Sequence, residues 1–194
     1  MKILVAVASR HGSTHEIANA LARELGAAGH TAEVQSVEDN PTVEGYDAAV
    51  IGSAVYMGNW LPQAVQFVDR NQAQLAAMPV WLFSSGPLGA DDPQPKGEPA
   101  HLDQLIGRTG ARGHRTFVGK LDKDQLGFGE RLIVRAVRAP DGDFRDWAAI
   151  NVWADEIGER IPTKRTGQLT ETNHLVAPPA TLAFVAGARA YDRH

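Results

Sequence analysis

An apolar run from Lys2 to Ala8 passes directly into a polar turn and then into a helical repeat. A run that is apolar at successive positions, and not only at alternate ones, is typical of a parallel strand covered on both faces. Apolar residues then recur at helical spacing from Ile17 to Leu25, and Gly29 follows as a stop signal. This strand and the helix after it predict an α/β protein with a parallel sheet.

The alternation continues along the chain. Further strands are predicted at Thr31–Val37, Asp47–Gly52, Pro79–Ser85 and about 114–119, and further helices at Leu61–Asp69, Leu102–Ile106, Gly129–Val137 and Trp147–Ile161. The order βαββαβαβαα predicts a five-stranded, doubly wound parallel sheet with helices on both faces. Residues 1–161 are therefore interpreted as one domain. The remainder, 162–194, is polar and then alanine-rich, and is expected to be either a loose, disordered tail or a segment docked on the domain or a partner.

Composition excludes several classes of function. The formal net charge is -4, with 23 acidic against 19 basic side chains, which argues against a dedicated nucleic-acid binder. The absence of cysteine excludes disulfides, thiolate metal sites and cysteine nucleophiles. No metal site is expected either, because His11 and His15 lack a third ligand. The first apolar run is too short for a membrane span, so a cytoplasmic protein is expected.

Three loops rich in serine and glycine follow three of the predicted strands. They are Ser9–Thr14 after the first strand, Ser53–Trp60 after the third and Ser84–Gly89 after the fourth. In an open doubly wound sheet, ligands bind beyond the carboxyl ends of the strands. We therefore expect these three loops to meet at one edge of the sheet and to form the binding site.

The first loop has the chemistry of an anion site. Its hydroxyl groups can donate, Gly12 allows close approach of the backbone, and the following helix directs its N–H groups at the turn. The alternative is that Ser13 or Thr14 simply caps the helix. Ser13, and not lysine, follows Gly12, which excludes a Walker loop, and a single glycine does not satisfy the dinucleotide fingerprint. A monophosphate is the better fit.

The second and third loops can hold a flat conjugated ring. Tyr56, Met57 and Trp60 can offer apolar and aromatic faces, and Gly58 allows a main-chain group to approach a ring nitrogen. The alternative is that Tyr56 and Trp60 are partly buried surface aromatics. The sequence "SSGPLG" in the third loop adds backbone donors for a pyrimidine-like edge.

The first turn resembles the amino-terminal signature of flavodoxins, in the pattern Ser9-x-x-Gly12-x-Thr14-x-x-x-Ala18-x-x-Leu21. "DAAVIGSAVYMGNW" and "WLFSSGPLG" resemble the flavin loops of the flavodoxin-like branch that includes menaquinone-dependent protoporphyrinogen oxidases. The resemblance extends over about residues 1–161. It implies a flavodoxin-like sheet of order 2-1-3-4-5 and bound FMN. The implied phosphate turn consists of Ser9, Arg10, His11, Gly12, Ser13 and Thr14, and Arg10 and His11 would face either the site, solvent or a partner. The resemblance implies that the ring is flanked by Ala54, Val55, Tyr56, Met57, Gly58, Asn59 and Trp60. It also implies that the other edge of the ring lies near Ser84, Ser85, Gly86, Pro87, Leu88 and Gly89.

Two functions are consistent with an FMN protein of this kind. One is an oxidoreductase, in which the flavin does the redox chemistry and no acid or base side chain is required, so no catalytic residue is assigned. Its redox partner would be a porphyrinogen, a quinone or a nicotinamide. The other is an electron carrier without substrate turnover. A hydrolase is disfavoured, since no G-x-S-x-G motif is present and no carboxylate can be paired with Ser84 or Ser85.

A basic stripe is the remaining feature. Arg131, Arg135 and Arg138 share one face of the predicted helix Gly129–Val137 and the residue after it. They could receive an anionic substrate such as a porphyrinogen, or anionic lipid at a membrane surface. The alternative is an ordinary solvated helix face.

Overall fold

The computed structural model describes residues 1–86, 98–121 and 142–161. These all lie in the first of two compact units, Met1–Lys164. The predicted helix Gly129–Val137 with its arginine stripe and the predicted tail 162–194 lie outside the described residues. Within the described part of the chain, no helix is long and apolar enough to cross a membrane.

The described strands and helices alternate as the sequence predicts. In chain order they are β1 (Lys2–Ala8), α1 (Ser13–Ala27), β2 (Thr31–Ser36), a 3-10 turn (Val37–Asp39), β3 (Ala48–Tyr56), β4 (Asn59–Trp60), α2 (Pro62–Arg70), α3 (Gln72–Ala76), β5 (Val80–Ser85), α4 (Leu102–Thr109), β6 (His114–Phe117), β7 (Lys120–Leu121), β8 (Gly142–Asp143) and α5 (Trp147–Arg160).

Five parallel strands form the sheet in the order β2-β1-β3-β5-β6. In the numbering of the predicted strands this is 2-1-3-4-5, so the implied topology is confirmed. The structure adds a sixth strand, because β4 folds back antiparallel on the end of β3. A separate two-stranded pair joins β7 to β8. Neither addition, nor the short helix α3, is predicted from the sequence.

Side chains of β1 alternate between two apolar cores, one on each face of the sheet. Ile3, Val5 and Val7 pack with α1 and α5, whereas Leu4, Ala6 and Ala8 pack with α2, α3 and α4. All six side chains are buried. Burial on both faces explains why the strand is apolar at each position from Ile3 to Ala8.

Candidate functional site

The strand register brings the three loops to one edge of the sheet. Ala8 at the end of β1 lies opposite Ser53 of β3, and Ala54 lies opposite Ser85 at the end of β5. The loops that follow therefore begin side by side. This is the arrangement expected from the sequence.

The first loop ends at Gly12, which is the N-cap residue of α1. Gly12 adopts φ = 80°, in the left-handed region that glycine tolerates best, and no side chain caps the helix. The first intrahelical bond runs from the N–H of Glu16 to the carbonyl of Gly12, at 3.0 Å. Capping by Ser13 or Thr14 is therefore not what this turn does. The N–H groups at the start of the helix have no acceptor within it and carry the positive end of its dipole.

A buried hydroxyl without a partner marks the same turn. The Ser9 Oγ is inaccessible to solvent and has no hydrogen-bond partner among residues 1–86, 98–121 and 142–161. Thr14, in the first turn of the helix, is 1% exposed. Because buried polar atoms are nearly always hydrogen-bonded, an orphaned hydroxyl beside a helix N-terminus fits a bound anion.

Arg10 joins the first loop to the second. Its guanidinium carbon lies 4.6 Å from the centre of the Tyr56 ring, which is within cation–π range. Arg10 and His11 are both exposed on the turn. One face of Tyr56 is thus covered by a side chain of the turn Ser9–Thr14.

The second loop is a tight hairpin, with Met57 and Gly58 between β3 and β4. Val55 pairs with Trp60, and Tyr56 with Asn59. Met57 and Gly58 adopt φ = 50° and φ = 76°, the positive values of a type I′ turn. Met57 is 80% exposed, so the hairpin presents an apolar side chain to solvent at its tip.

Both carbonyl groups of this turn already accept hydrogen bonds from the chain. The Met57 carbonyl accepts from Asn59 Nδ2 at 3.0 Å, and the Gly58 carbonyl accepts from the N–H of Ala100 at 2.7 Å. The second bond ties the hairpin to the segment that leads into α4. A Cβ at Gly58 would have no heavy atom within 4 Å, so the backbone there is open to a ligand.

Trp60 and Ser84 face the interior and bond to each other. Trp60 is 4% exposed, and its indole Nε1–H donates to the Ser84 Oγ at 2.8 Å. The same oxygen lies 2.8 Å from Nε2 of His114, and His114 Nδ1 lies 3.8 Å from a carboxylate oxygen of Glu98. The chain of four side chains connects β4, β5, β6 and the segment before α4.

Burial lowers the pKa of His114 below its ordinary value, and the neighbouring carboxylate of Glu98 opposes that shift only in part. A neutral imidazole is therefore favoured. Ser84, His114 and Glu98 lie in the order of a hydrolytic triad, but Ser84 is fully buried and its oxygen accepts the Trp60 indole N–H. The Ser84 hydroxyl is enclosed by the protein, and the group links β4, β5 and β6 beneath the loops.

A second buried serine holds the base of the hairpin. The Ser53 Oγ accepts from the N–H of Leu61 at 2.9 Å and donates to the carbonyl of Ala54 at 2.8 Å. Ser53 of β3 and Ser84 of β5 thus both bind the carboxyl end of β4, at Leu61 and at Trp60. Their places at the ends of the strands predicted from the sequence favour ligand contacts, whereas in the structure both hydroxyl groups form hydrogen bonds within the protein.

Ser85 and Gly86 begin the third loop. Ser85 is 5% exposed, and Gly86, at φ = 106°, donates its N–H to the Phe117 carbonyl at 2.9 Å. The bond holds the start of this loop against β6. Pro87, Leu88 and Gly89 lie outside the described residues. Ala54 and Val55 are half-buried at the end of β3 and precede the hairpin turn.

Sequence reasoning missed the residues that hold the turn Ser9–Thr14 from behind. The N–H of Lys120 donates to Ser13 Oγ at 3.1 Å, and Arg145 Nη1 donates to the Ser13 carbonyl at 3.3 Å. These residues follow Ser13 by 107 and 132 positions. No local pattern could have pointed to contacts of such sequence separation.

Comparison with known proteins agrees with this geometry. Residues 4–147 match the family described as Flavodoxin domain. The protoporphyrinogen IX dehydrogenase (quinone) of Escherichia coli strain K12 is 36% identical over 86 residues, 43% of this chain and 48% of that protein. The chain spans about half the length of the curated relatives it matches.

Solved flavodoxin structures share the fold. Oxidised Flavodoxin 1 from Bacillus cereus superposes with a TM-score of 0.57 and 17% identity, covering 84% of this chain and 100% of that one. Oxidised Flavodoxin 2 from Bacillus cereus gives a TM-score of 0.54 and 22% identity, covering 82% and 99%. The family implies a bound flavin. Because the family match covers residues 4–147 of 194, the chain belongs to the flavodoxin domain family.

Proposed function

We propose that the chain binds FMN, with its phosphate on the turn Ser9–Thr14. The observation that carries this proposal is the buried Ser9 Oγ without a partner, beside the N-terminus of α1. A phosphate there would accept from that hydroxyl and from the first N–H groups of the helix. Gly12 leaves the approach open, because a Cβ on it would meet no heavy atom within 4 Å.

The flavin ring is proposed to lie between the hairpin and the third loop. Met57 offers it an apolar surface at the hairpin tip, and the Arg10–Tyr56 contact holds the adjoining wall in place. Since both turn carbonyls have donors, the Gly58 N–H is the main-chain group proposed to face a ring nitrogen. Trp60 and Ser84 would support the ring site from below, and would not touch the ring.

The proposed activity is that of a flavin-dependent oxidoreductase, with quinone-linked porphyrinogen oxidation as its most specific form. The 36% identity to the Escherichia coli protoporphyrinogen IX dehydrogenase (quinone) supports this substrate class. When bound, a flavin would supply the two-electron redox chemistry by which a porphyrinogen is oxidised and a quinone is reduced. The residues of the three loops hold and orient the cofactor.

Titration of the full chain with FMN and with riboflavin tests the cofactor assignment. FMN should bind with quenching of its fluorescence, and riboflavin, which lacks the phosphate, should bind more weakly. Ser9→Ala should weaken FMN severalfold and leave riboflavin unchanged, because it removes a phosphate donor. Absence of any FMN quenching, or equal affinity for both flavins, would contradict the proposal.

Anaerobic reduction of the FMN form tests the activity. NADH, NADPH and protoporphyrinogen are offered in turn, and menadione is then added as the quinone acceptor. Rapid bleaching by protoporphyrinogen followed by recovery of the oxidised spectrum with quinone is the expected result. Bleaching by NADH or NADPH but not by protoporphyrinogen would show that the electron donor is a nicotinamide and not a porphyrinogen. A stable semiquinone without turnover would instead favour an electron carrier.

A further inference from the structure

We infer that Arg145 is a positioning residue for the phosphate turn, and that it makes the protein selective for a flavin carrying a phosphate. This inference rests on the proposed binding of FMN at Ser9–Thr14. Arg145 lies between β8 and α5, outside all three loops. Its guanidinium group nevertheless reaches the first residue of α1.

The Arg145 side chain is held by partners on every side. It is only 3% exposed. Nε and Nη2 donate to the two carboxylate oxygens of Asp143 at 2.8 and 2.6 Å, a bidentate pair, while Nη1 lies 2.8 Å from a Glu16 carboxylate oxygen. The guanidinium also lies 4.4 Å from the centre of the Trp147 ring. A buried cation with this many partners is fixed in one position.

The fixed guanidinium of Arg145 contacts Ser13 at the start of α1. Arg145 Nη1 donates to the Ser13 carbonyl at 3.3 Å, and the Lys120 N–H donates to the Ser13 Oγ at 3.1 Å. Lys120 of β7 pairs with Asp143 of β8, whose carboxylate holds Arg145, so one donor lies on this short ribbon and the other follows it by two residues. A hydroxyl that accepts an N–H keeps its own hydrogen for another acceptor. The ribbon therefore fixes the start of α1 and leaves the Ser13 hydroxyl able to donate to an anion.

Charge gives Arg145 a second effect on the turn. Glu16 lies in the first turn of α1, where a carboxylate would repel a phosphate seated at the same helix end. Its contact with Arg145 at 2.8 Å offsets that charge. Loss of the guanidinium would leave the carboxylates of Glu16 and Asp143 without their shared cation, so the turn would become less favourable to a dianion.

The test compares FMN and riboflavin affinity in Arg145→Met and Arg145→Lys, with folding checked by circular dichroism and thermal unfolding. Arg145→Met should raise the Kd for FMN about tenfold or more and change the Kd for riboflavin less than about twofold. Arg145→Lys keeps the charge but loses the fork geometry, so an intermediate loss for FMN is expected. Arg145→Lys also provides the test if Arg145→Met fails to fold.

Arg108→Met is the matched control. Arg108 Nη1 forms an ion pair with Asp69 at 2.6 Å, which joins α4 to α2, and neither helix carries the turn Ser9–Thr14. This variant should keep the full preference for FMN. If the wild-type chain shows no preference for FMN, the proposed phosphate site itself fails. If the wild type prefers FMN and both Arg145 variants retain the preference, or lose both flavins in equal proportion, the role of Arg145 is overturned.

Discussion

The indole Nε1–H of Trp60 donates a 2.8 Å hydrogen bond to the Ser84 hydroxyl, and thereby joins the hairpin to the end of β5. Trp60 belongs to the second loop region and Ser84 to the third. Both side chains are buried, so the bond is shielded from water. The two loops proposed to hold the flavin ring are thus coupled from beneath.

Trp60→Phe should destabilise the protein beyond the cost of the smaller ring. It removes the donor to Ser84 and leaves a buried oxygen with one partner fewer, for about 1 kcal/mol or more. Trp81→Phe is the control, because Trp81 is 1% exposed and its Nε1 has no hydrogen-bond partner. Urea unfolding measures both variants. Equal losses for the two tryptophans would show that the Trp60 bond contributes nothing.

Gly52→Ala should destabilise the sheet by about 2 kcal/mol or more through overpacking. A Cβ on Gly52 would lie 2.0 to 2.5 Å from three ring atoms of Phe83, which is fully buried. Gly26→Ala, in α1 with no heavy atom within 4 Å of its Cβ, should instead be neutral or stabilising by up to about 1 kcal/mol. The free energy of unfolding of both variants decides the matter. A Gly52→Ala protein of wild-type stability would contradict the packing described.

Stability should fall as the pH is lowered through the ordinary pKa of histidine, about 6.5, because of His114. Burial lowers its pKa in the folded protein, so the unfolded chain takes up a proton first. The loss grows until the pH reaches the lower folded pKa and is constant below it. His114→Gln should reduce this slope in urea unfolding between about pH 7 and pH 5. His101→Gln, an exposed histidine, controls for loss of a side chain of that type. Parallel slopes for wild type and His114→Gln would contradict the prediction.

Thr14→Val should weaken FMN several-fold and leave riboflavin nearly unchanged. Thr14 is 1% exposed in the first turn of α1, and valine keeps its shape while removing the hydroxyl. Thr109→Val is the matched control, since Thr109 is also buried but donates to the Leu105 carbonyl within α4. Flavin fluorescence titration gives both affinities. Equal losses for the two flavins would mean that this turn is not the phosphate site.

Met57→Asn should stabilise the protein without flavin by about 0.5 kcal/mol. Met57 has φ = 50°, a conformation that asparagine tolerates better than methionine. The same substitution should weaken flavin binding, because it removes the apolar side chain proposed to lie beside the ring. Thermal unfolding and flavin titration are the two measurements. Unchanged flavin affinity would exclude Met57 from the ring contacts.

The sheet could be predicted from the sequence because its information is local. β1 is apolar at every position from Ile3 to Ala8 and is followed by a polar turn, and apolar runs also precede polar or glycine-containing loops at β3 and β5. Parallel strands then place the loops after them at one edge, which the observed register confirms. The identity of the residues that touch the flavin stays a prediction.

The internal supports of the site could not be predicted, because each joins distant parts of the chain. The sequence predicts that Trp60 offers a face to the ring, whereas in the structure its indole is buried and donates to Ser84, 24 positions later. The hairpin could not be predicted either, since Met57-Gly58 lacks the Asn-Gly or Asp-Gly signature of a type I′ turn. Arg145 stands in an ordinary charged segment, and only the folded chain brings it to Ser13.

The separation of 132 positions between Arg145 and Ser13 has a consequence for how the protein is made. A ribosome releases α1 long before it releases the ribbon that steadies the start of that helix. While the chain is being synthesised, the turn before α1 therefore lacks its contact with Arg145, and it gains that contact only when the later segment has folded. We expect the proposed flavin binding to require a chain that extends through Arg145, because earlier lengths lack this contact with Ser13.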